Sequence, residues 1–385
     1  MEKTKKNNQK SKTIIKNNNN ITNLKLNELQ SPRELKIIKQ IIKEPNSNLI
    51  IFKSIYDLIL LMFIGGEKHS SIITYNLIDN KKIFEIKNAN ATINELKHYL
   101  DKNNKRDLVA SISMLENNAK IWNFNNLECI LNIDFKIGNY YLNLNSICLL
   151  NNDNNIHLII SSINIPQSQL IHIYNLKGEK IKEINKNNLR NYFVDTFYDD
   201  KFSKNYIIIS TNADIRAIDY NDNKIIKHYV PVNEQPIKIN YIKNIEINRK
   251  FHFDDNHIFE DVEYSKGPLY IIVKKCGNIT KLIAVMKENT VKIWNFHSTQ
   301  LLAEISISKC TIKSICLWDE ENLLIGTSGG LKLIDLNKNK HVKNFGDIVD
   351  IARMYICTIQ KYGKCLITSN YKEIFLWINK NLIKK

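Results

Sequence analysis

The sequence predicts an all-β fold assembled from one repeated strand unit, and three observations carry that expectation. The run Lys-Ile-Trp-Asn-Phe occurs twice, around Trp122 and Trp294. An apolar-x-apolar-aromatic-Asn/Asp-apolar unit of the same kind recurs at Tyr75 (IITYNL), Tyr174 (LIHIYNL), Ile218 (IRAIDY), Ile334 (LKLIDL) and Trp377 (IFLWIN). These seven positions are spaced 47, 52, 44, 76, 40 and 43 residues apart, and five of the six intervals lie close to the ~40–45 residues of a four-stranded propeller blade. The expected fold is therefore a seven-bladed β-propeller of four-stranded antiparallel blades, with eight blades as the alternative.

Residues 1–30 are rich in Asn and Lys, lack apolar periodicity and are expected to be disordered. In SPRELKIIKQIIK (31–43), Ser31 and Glu34 form a capping box, and Pro32 suits a first helical position. Leu35, Ile38 and Ile42 would share one helical face. The segment 31–48 is thus expected to be a short helix or a strand docked on the ring, with a membrane-surface helix as a sharper alternative.

Four strands can be traced in each unit. Three inner stretches resemble one another: NSICLL (145–150), KSICLW (313–318) and MYICTI (354–359). They align Cys148, Cys316 and Cys357 as small packing residues. The next stretches end in Ser or Thr, as in DLVASIS (107–113), IHLIISS (156–162), YIIIST (206–211), LLIGTS (323–328) and CLITS (365–369). The signature strand comes third, and a polar turn with a last strand follows it, as in DNKKIFEI (80–87). After Trp377 the chain offers only NKNLIKK for a last strand. An open sheet edge invites pairing, so either 34–43 or 49–53 is expected to complete the seventh blade.

The 76-residue interval holds no signature midway. Residues 236–267 read as an insertion ahead of the fifth blade, whose first strand begins at LYIIVKK. Within it, HFDDNHIFEDVE (252–263) contains five acids and no Lys or Arg. His252, Asp254, Asp255 and His257 match no metal-ligand spacing, and no metal is expected there. An exposed interaction loop is the better reading, with Phe253, Asp254, Asp255, Phe259, Glu260, Asp261 and Tyr264 as candidate partner-binding residues.

This set of units resembles the WD-repeat (WD40) propeller family over about residues 49–385. Trp122, Trp294 and Trp377 match its signature aromatic, and Asp219 and Asp335 match the acidic residue that follows. Asn stands in place of that acid at 76, 123, 175 and 295, and Ile378 in the last unit. The family's Gly-His dipeptide is missing, so its His-Ser-Asp-Trp hydrogen-bond relay is not carried over. The resemblance implies a rigid platform that binds other proteins.

Composition narrows the chemistry. The 385 residues are 43% hydrophobic, enough for a large core. The start of the chain is charged and no apolar run approaches a bilayer span of ~20 residues, so an intracellular, more cytoplasmic than nuclear, protein is expected. Seven cysteines without a Cys-x-x-Cys pair point to free buried thiols. No phosphate-binding loop, nucleophile elbow, zinc-protease motif or dinucleotide fingerprint is present. The pairs Gly65-Gly66 and Gly329-Gly330 follow strands and read as turns. No catalytic residue and no cofactor is therefore expected.

Net charge is +16. Residues 1–44 hold eleven Lys/Arg against four Glu, +7 of that total. Turns must be built from Asn and Asp, because Gly and Pro number only 11 and 6. Two functions stay open at this point. One is a non-catalytic scaffold for protein–protein interaction. The other is a binder of anionic ligands, RNA or a phosphoinositide membrane surface, through the basic tail and surface lysines.

Overall fold

A computed structural model describes residues 31–379, apart from 44–48, 66–69, 186–190, 230–269 and breaks of one to three residues in other connections. The tail 1–30, the insertion at 236–267 and all its candidate partner-binding residues lie outside the described residues.

Seven four-stranded antiparallel sheets form the seven blades. Blade 1 comprises Leu49–Lys53, Ile59–Gly65, Ser71–Asn76 and Lys81–Ile86. Blade 2 comprises Ile93–Asp101, Arg106–Ser113, Asn118–Asn123 and Glu128–Asp134. Blade 3 comprises Asn143–Asn152, Asn155–Asn164, Ser168–Asn175 and Lys180–Asn185. A two-stranded ribbon, Lys136–Ile137 with Tyr140–Tyr141, sits between those two blades in sequence. Blade 4 comprises Asn191–Asp199, Lys204–Thr211, Ile215–Asp219 and Ile225–Tyr229. Blade 5 comprises Tyr270–Cys276, Ile279–Met286, Thr290–Asn295 and Leu301–Ser306. Blade 6 comprises Ile312–Leu317, Asn322–Thr327, Gly330–Asp335 and Lys340–Phe345.

Blade 7 is built from both parts of the chain. Arg353–Ile359, Gly363–Ser369 and Glu373–Asn379 supply three strands, and Leu35–Lys43 supplies the fourth. Of the two closing segments considered from sequence, 34–43 takes the outer place, while Leu49–Lys53 is the first strand of blade 1. The helical reading of 31–43 is corrected. Ser31 does cap, accepting a hydrogen bond from the Arg33 amide at 3.3 Å, but only one 3-10 turn, Pro32–Glu34, follows. The paired isoleucines at 37–38 and 41–42 favour strand, and the backbone partner offered by Glu373–Asn379 decides it.

First strands pack closely against one another around the axis at six of the seven junctions, all but that of blades 4 and 5. Between blades lie seven apolar clusters, one at each junction. Signature residues all stand on third strands and all face the preceding blade. Trp122 packs with Phe52 and Met62 of blade 1, Trp294 with Tyr206 and Ile208 of blade 4, and Trp377 with Leu331 and Phe345 of blade 6. Ile218 and Ile334 fill the same role at two junctions, and the partly buried Tyr75 and Tyr174 at two more. Strand alternation sends the neighbouring residue, such as Ile121 or Ile293, into the following junction.

Every fourth strand carries a one-residue bulge opposite its signature residue. The extra residue is Ile83, Ile130, Ile181, Ile226, Leu302 and Val342 in blades 1–6. In blade 7 it is Ile38, between Ile37 opposite Trp377 and Lys39 opposite Leu376. Leu35–Lys43 therefore matches the other six outer strands in register as well as in position.

Candidate interaction face

An antiparallel four-strand meander places its first-to-second and third-to-fourth hairpins on one face of the ring. Second-to-third turns and blade-to-blade connections fall on the other. In blades 1–6 the residue after the signature explains how the first kind of face is built. Its Oδ1 accepts backbone amides two or three residues ahead: Ile78 to Asn76, Asn125 to Asn123, Lys177 to Asn175, and His297 to Asn295. Asp219 does the same for Asn221, and Asp335 for Asn337 and Lys338. This is an Asx turn, which needs one side-chain carbonyl-type oxygen and accepts Asn or Asp alike. The Asn-for-Asp departures noted in the sequence thus leave the turn intact.

The hairpin face carries a marked share of exposed apolar surface. Seven of the thirteen exposed large hydrophobics among the described residues lie on it: Tyr56, Leu58, Ile78, Leu127, Tyr198, Phe202 and Ile279. Tyr56 is 66% exposed and Phe202 51%. Five of the other six are outer-strand bulge residues, and Val349 alone lies on the opposite face. Phe202 stacks edge-on against His297 at 5.3 Å, which joins the hairpins of blades 4 and 5. Beneath them Asp199 is buried, with His297 Nδ1 3.6 Å from its Oδ2.

Between blades 6 and 7 the same face opens into a cavity of about 560 Å³, lined by Ser31–Arg33, Trp318–Asn322, Asp335 and Lys364. The Lys364 ammonium donates to the Trp318 carbonyl and lies 4.9 Å from the centre of the Trp318 ring. Burial lowers its pKa below the usual lysine range. Asp335 is only 7% exposed. The Lys338 amide foremost, with that of Asn337, holds its carboxyl below the ordinary value.

Sequence-based site residues and structure meet unevenly. The seven signature positions are interior and carry no accessible chemistry, apart from the partly buried tyrosines. Cys148 and Cys316 occupy equivalent places, each one residue before the first-strand residue (Leu149, Leu317) aligned with the signature. Cys357 does not, which corrects the sequence alignment. Tyr355 holds that place in blade 7, because there it is Ile356 that aligns, through Leu366, with Trp377. Burial pushes the Cys316 and Cys357 thiols up to about 12, so both stay protonated and poorly nucleophilic. No group of three or more metal-ligating side chains occurs among the described residues, and no described helix is long and apolar enough to cross a membrane.

No protein-family model matches the chain, and no curated protein matches it either. Many solved structures share its fold. One is the crystal structure of BBS1N in complex with ARL6DN, at 9% identity and a TM-score of 0.63, covering 90% of this chain and 97% of that one. At that identity the likeness is one of fold.

Proposed function

We propose that the chain is a divergent WD-repeat propeller acting as a non-catalytic scaffold that binds a partner protein through its hairpin face. The observation that carries this reading is the placement, among the described residues, of seven exposed large hydrophobics on that face, against one on the other. Exposed aromatics beside a charged rim are the composition of binding surfaces. BBS1N, a propeller of similar span, is held in complex with a protein, ARL6DN, which supports the use of such a ring as a platform. The anionic-ligand alternative fits this face poorly, because its cavity is lined by four carboxylates and two cations.

The test is affinity capture from the native host with the full chain. Tyr56→Asp combined with Phe202→Asp is expected to lose at least one partner that wild type retains. Val349→Asp, on the opposite face, is expected to keep it. Loss through Val349→Asp alone would place binding on the other side of the ring.

A further inference from the structure

Two aspartates occupy equivalent places in the repeat but have different surroundings. Asp219 ends the third strand of blade 4, and Asp335 ends that of blade 6. Both accept two turn amides on Oδ1. On the other oxygen, Asp219 receives the Lys204 ammonium at 2.7 Å. Lys204 stands two residues before Tyr206, which pairs with Asp219. The equivalent position in blade 6, two residues before Asn322, which pairs with Asp335, is Glu320. The internal cation of blade 4 is thus replaced by an acid, and the blade 6 carboxylate opens into the cavity described above. Its ion-pair partner is Arg33, whose guanidinium is 3.8 Å from Oδ2, beyond hydrogen-bond range, on a side chain 54% exposed, and the charge of Lys338 acts on it as well.

The balance of charge there runs against the rest of the molecule. Asp319, Glu320, Glu321 and Asp335 face Arg33 and Lys364, four acids against two bases or −2, in a chain of net +16. Lys364 is committed to the Trp318 carbonyl. We propose that this cavity seats a lysine or arginine side chain presented by a partner protein, filling the place that Lys204 fills in blade 4. The inference rests on the reading of the hairpin face as the binding face and adds the chemistry of one contact. Ile279 is 40% exposed on the adjoining hairpin of blade 5, where Glu320 approaches Gly277. The best-fitting segment therefore carries a basic residue with an apolar neighbour.

Fluorescence anisotropy on the full chain with labelled hexa-arginine and hexa-lysine peptides, and hexa-glutamine as control, tests this. Glu320→Lys rebuilds the blade 4 arrangement and is expected to weaken binding of the basic peptides about tenfold, with the melting temperature kept. Arg33→Ala removes the loosely held competitor and is expected to strengthen binding. Unchanged affinity in both variants overturns the proposal. Carbodiimide cross-linking of the full chain without peptide discriminates the source of the cation. Cross-links from Glu320 or Glu321 to lysines of residues 1–30 would assign the cavity to the chain's own segment and overturn a partner's role. The Tyr56→Asp, Phe202→Asp variant should bind the peptides normally. Normal peptide binding with normal partner capture in that variant would sink the wider reading and leave the cavity's chemistry standing.

Discussion

Trp122 and Trp377 do more than fill space. The Trp122 indole N–H donates to Ser111 Oγ at 3.1 Å, and that of Trp377 to Thr368 Oγ1 at 2.8 Å. In each case the hydroxyl stands two residues beyond the second-strand residue paired with the tryptophan. Opposite Trp294 the same place is Ala284, and Trp294 instead packs edge-on against Tyr229 at 6.2 Å. Trp122→Phe and Trp377→Phe should each cost about 1–3 kcal/mol through an orphaned buried hydroxyl. Trp294→Ala should cost about 3–5 kcal/mol by cavity formation. Thermal unfolding with both classes of variant separates the two mechanisms. Three histidines add a pH dependence. Burial holds His157, His172 and His297 below the usual imidazole pKa. The unfolded chain therefore binds more protons as pH falls through about 6.5. Stability present above that pH is lost below it, and the melting temperature should fall between pH 7.5 and 5.5. His172→Gln, which can keep the contact with Ser162 Oγ at 3.0 Å, should flatten the fall.

Outer strands are the exposed edges of every blade, and an unmodified edge is a template for pairing with another chain. The bulge in each outer strand, with a second at Ile41 in Leu35–Lys43, bends that edge and breaks its hydrogen-bond register. The bulge also reverses alternation, so the residue after it turns toward the next blade. Lys182 uses this direction to donate to the Tyr220 carbonyl of blade 4 at 2.6 Å. Lys227 reaches the His297 carbonyl of blade 5, and Lys343 the Arg33 carbonyl beside the closing strand at 2.6 Å. In blade 1 the same position is Phe84, edge-on to Phe124 of blade 2 at 4.5 Å. These contacts link successive blades around the circumference, and they account for three of the surface lysines that otherwise suggest an anion-binding surface. Lys343→Met should cost about 1 kcal/mol, read as increased hydrogen exchange in Leu35–Lys43 with little change in blades 2–4. Equal loosening of every blade would deny a local role at the closure.

At the scale of the whole ring, the blade count and the third-strand positions were legible because each repeats seven times. Repetition made weak single signatures decisive. The closing strand was less legible: Leu35, Ile38 and Ile42 suit a helical face, and only the unpaired edge of Glu373–Asn379 resolves the choice. Asn looked like a departure after the signature until the turn amides showed that Asn and Asp alike supply the needed oxygen. Gly330 was readable as a turn, and its φ of +112° with Phe345 O 2.8 Å from a would-be Cβ explains why glycine is required. Other turns use Asn or Asp at eight of the thirteen positive-φ non-glycine residues described. The cavity was not legible. Arg33, Glu320, Asp335 and Lys364 are brought together only by ring closure, and the absence of a lysine at 320 has meaning only beside Lys204 of blade 4.

The proposed function puts partner docking on the hairpin face. Hydrogen exchange of the full chain, free and in complex with a captured partner, tests it most directly. Protection is expected to concentrate in the hairpins at 54–58, 199–204 and 318–322, with the second-to-third turns at 211–215 and 327–330 unchanged. Protection confined to those second-to-third turns would contradict the claim.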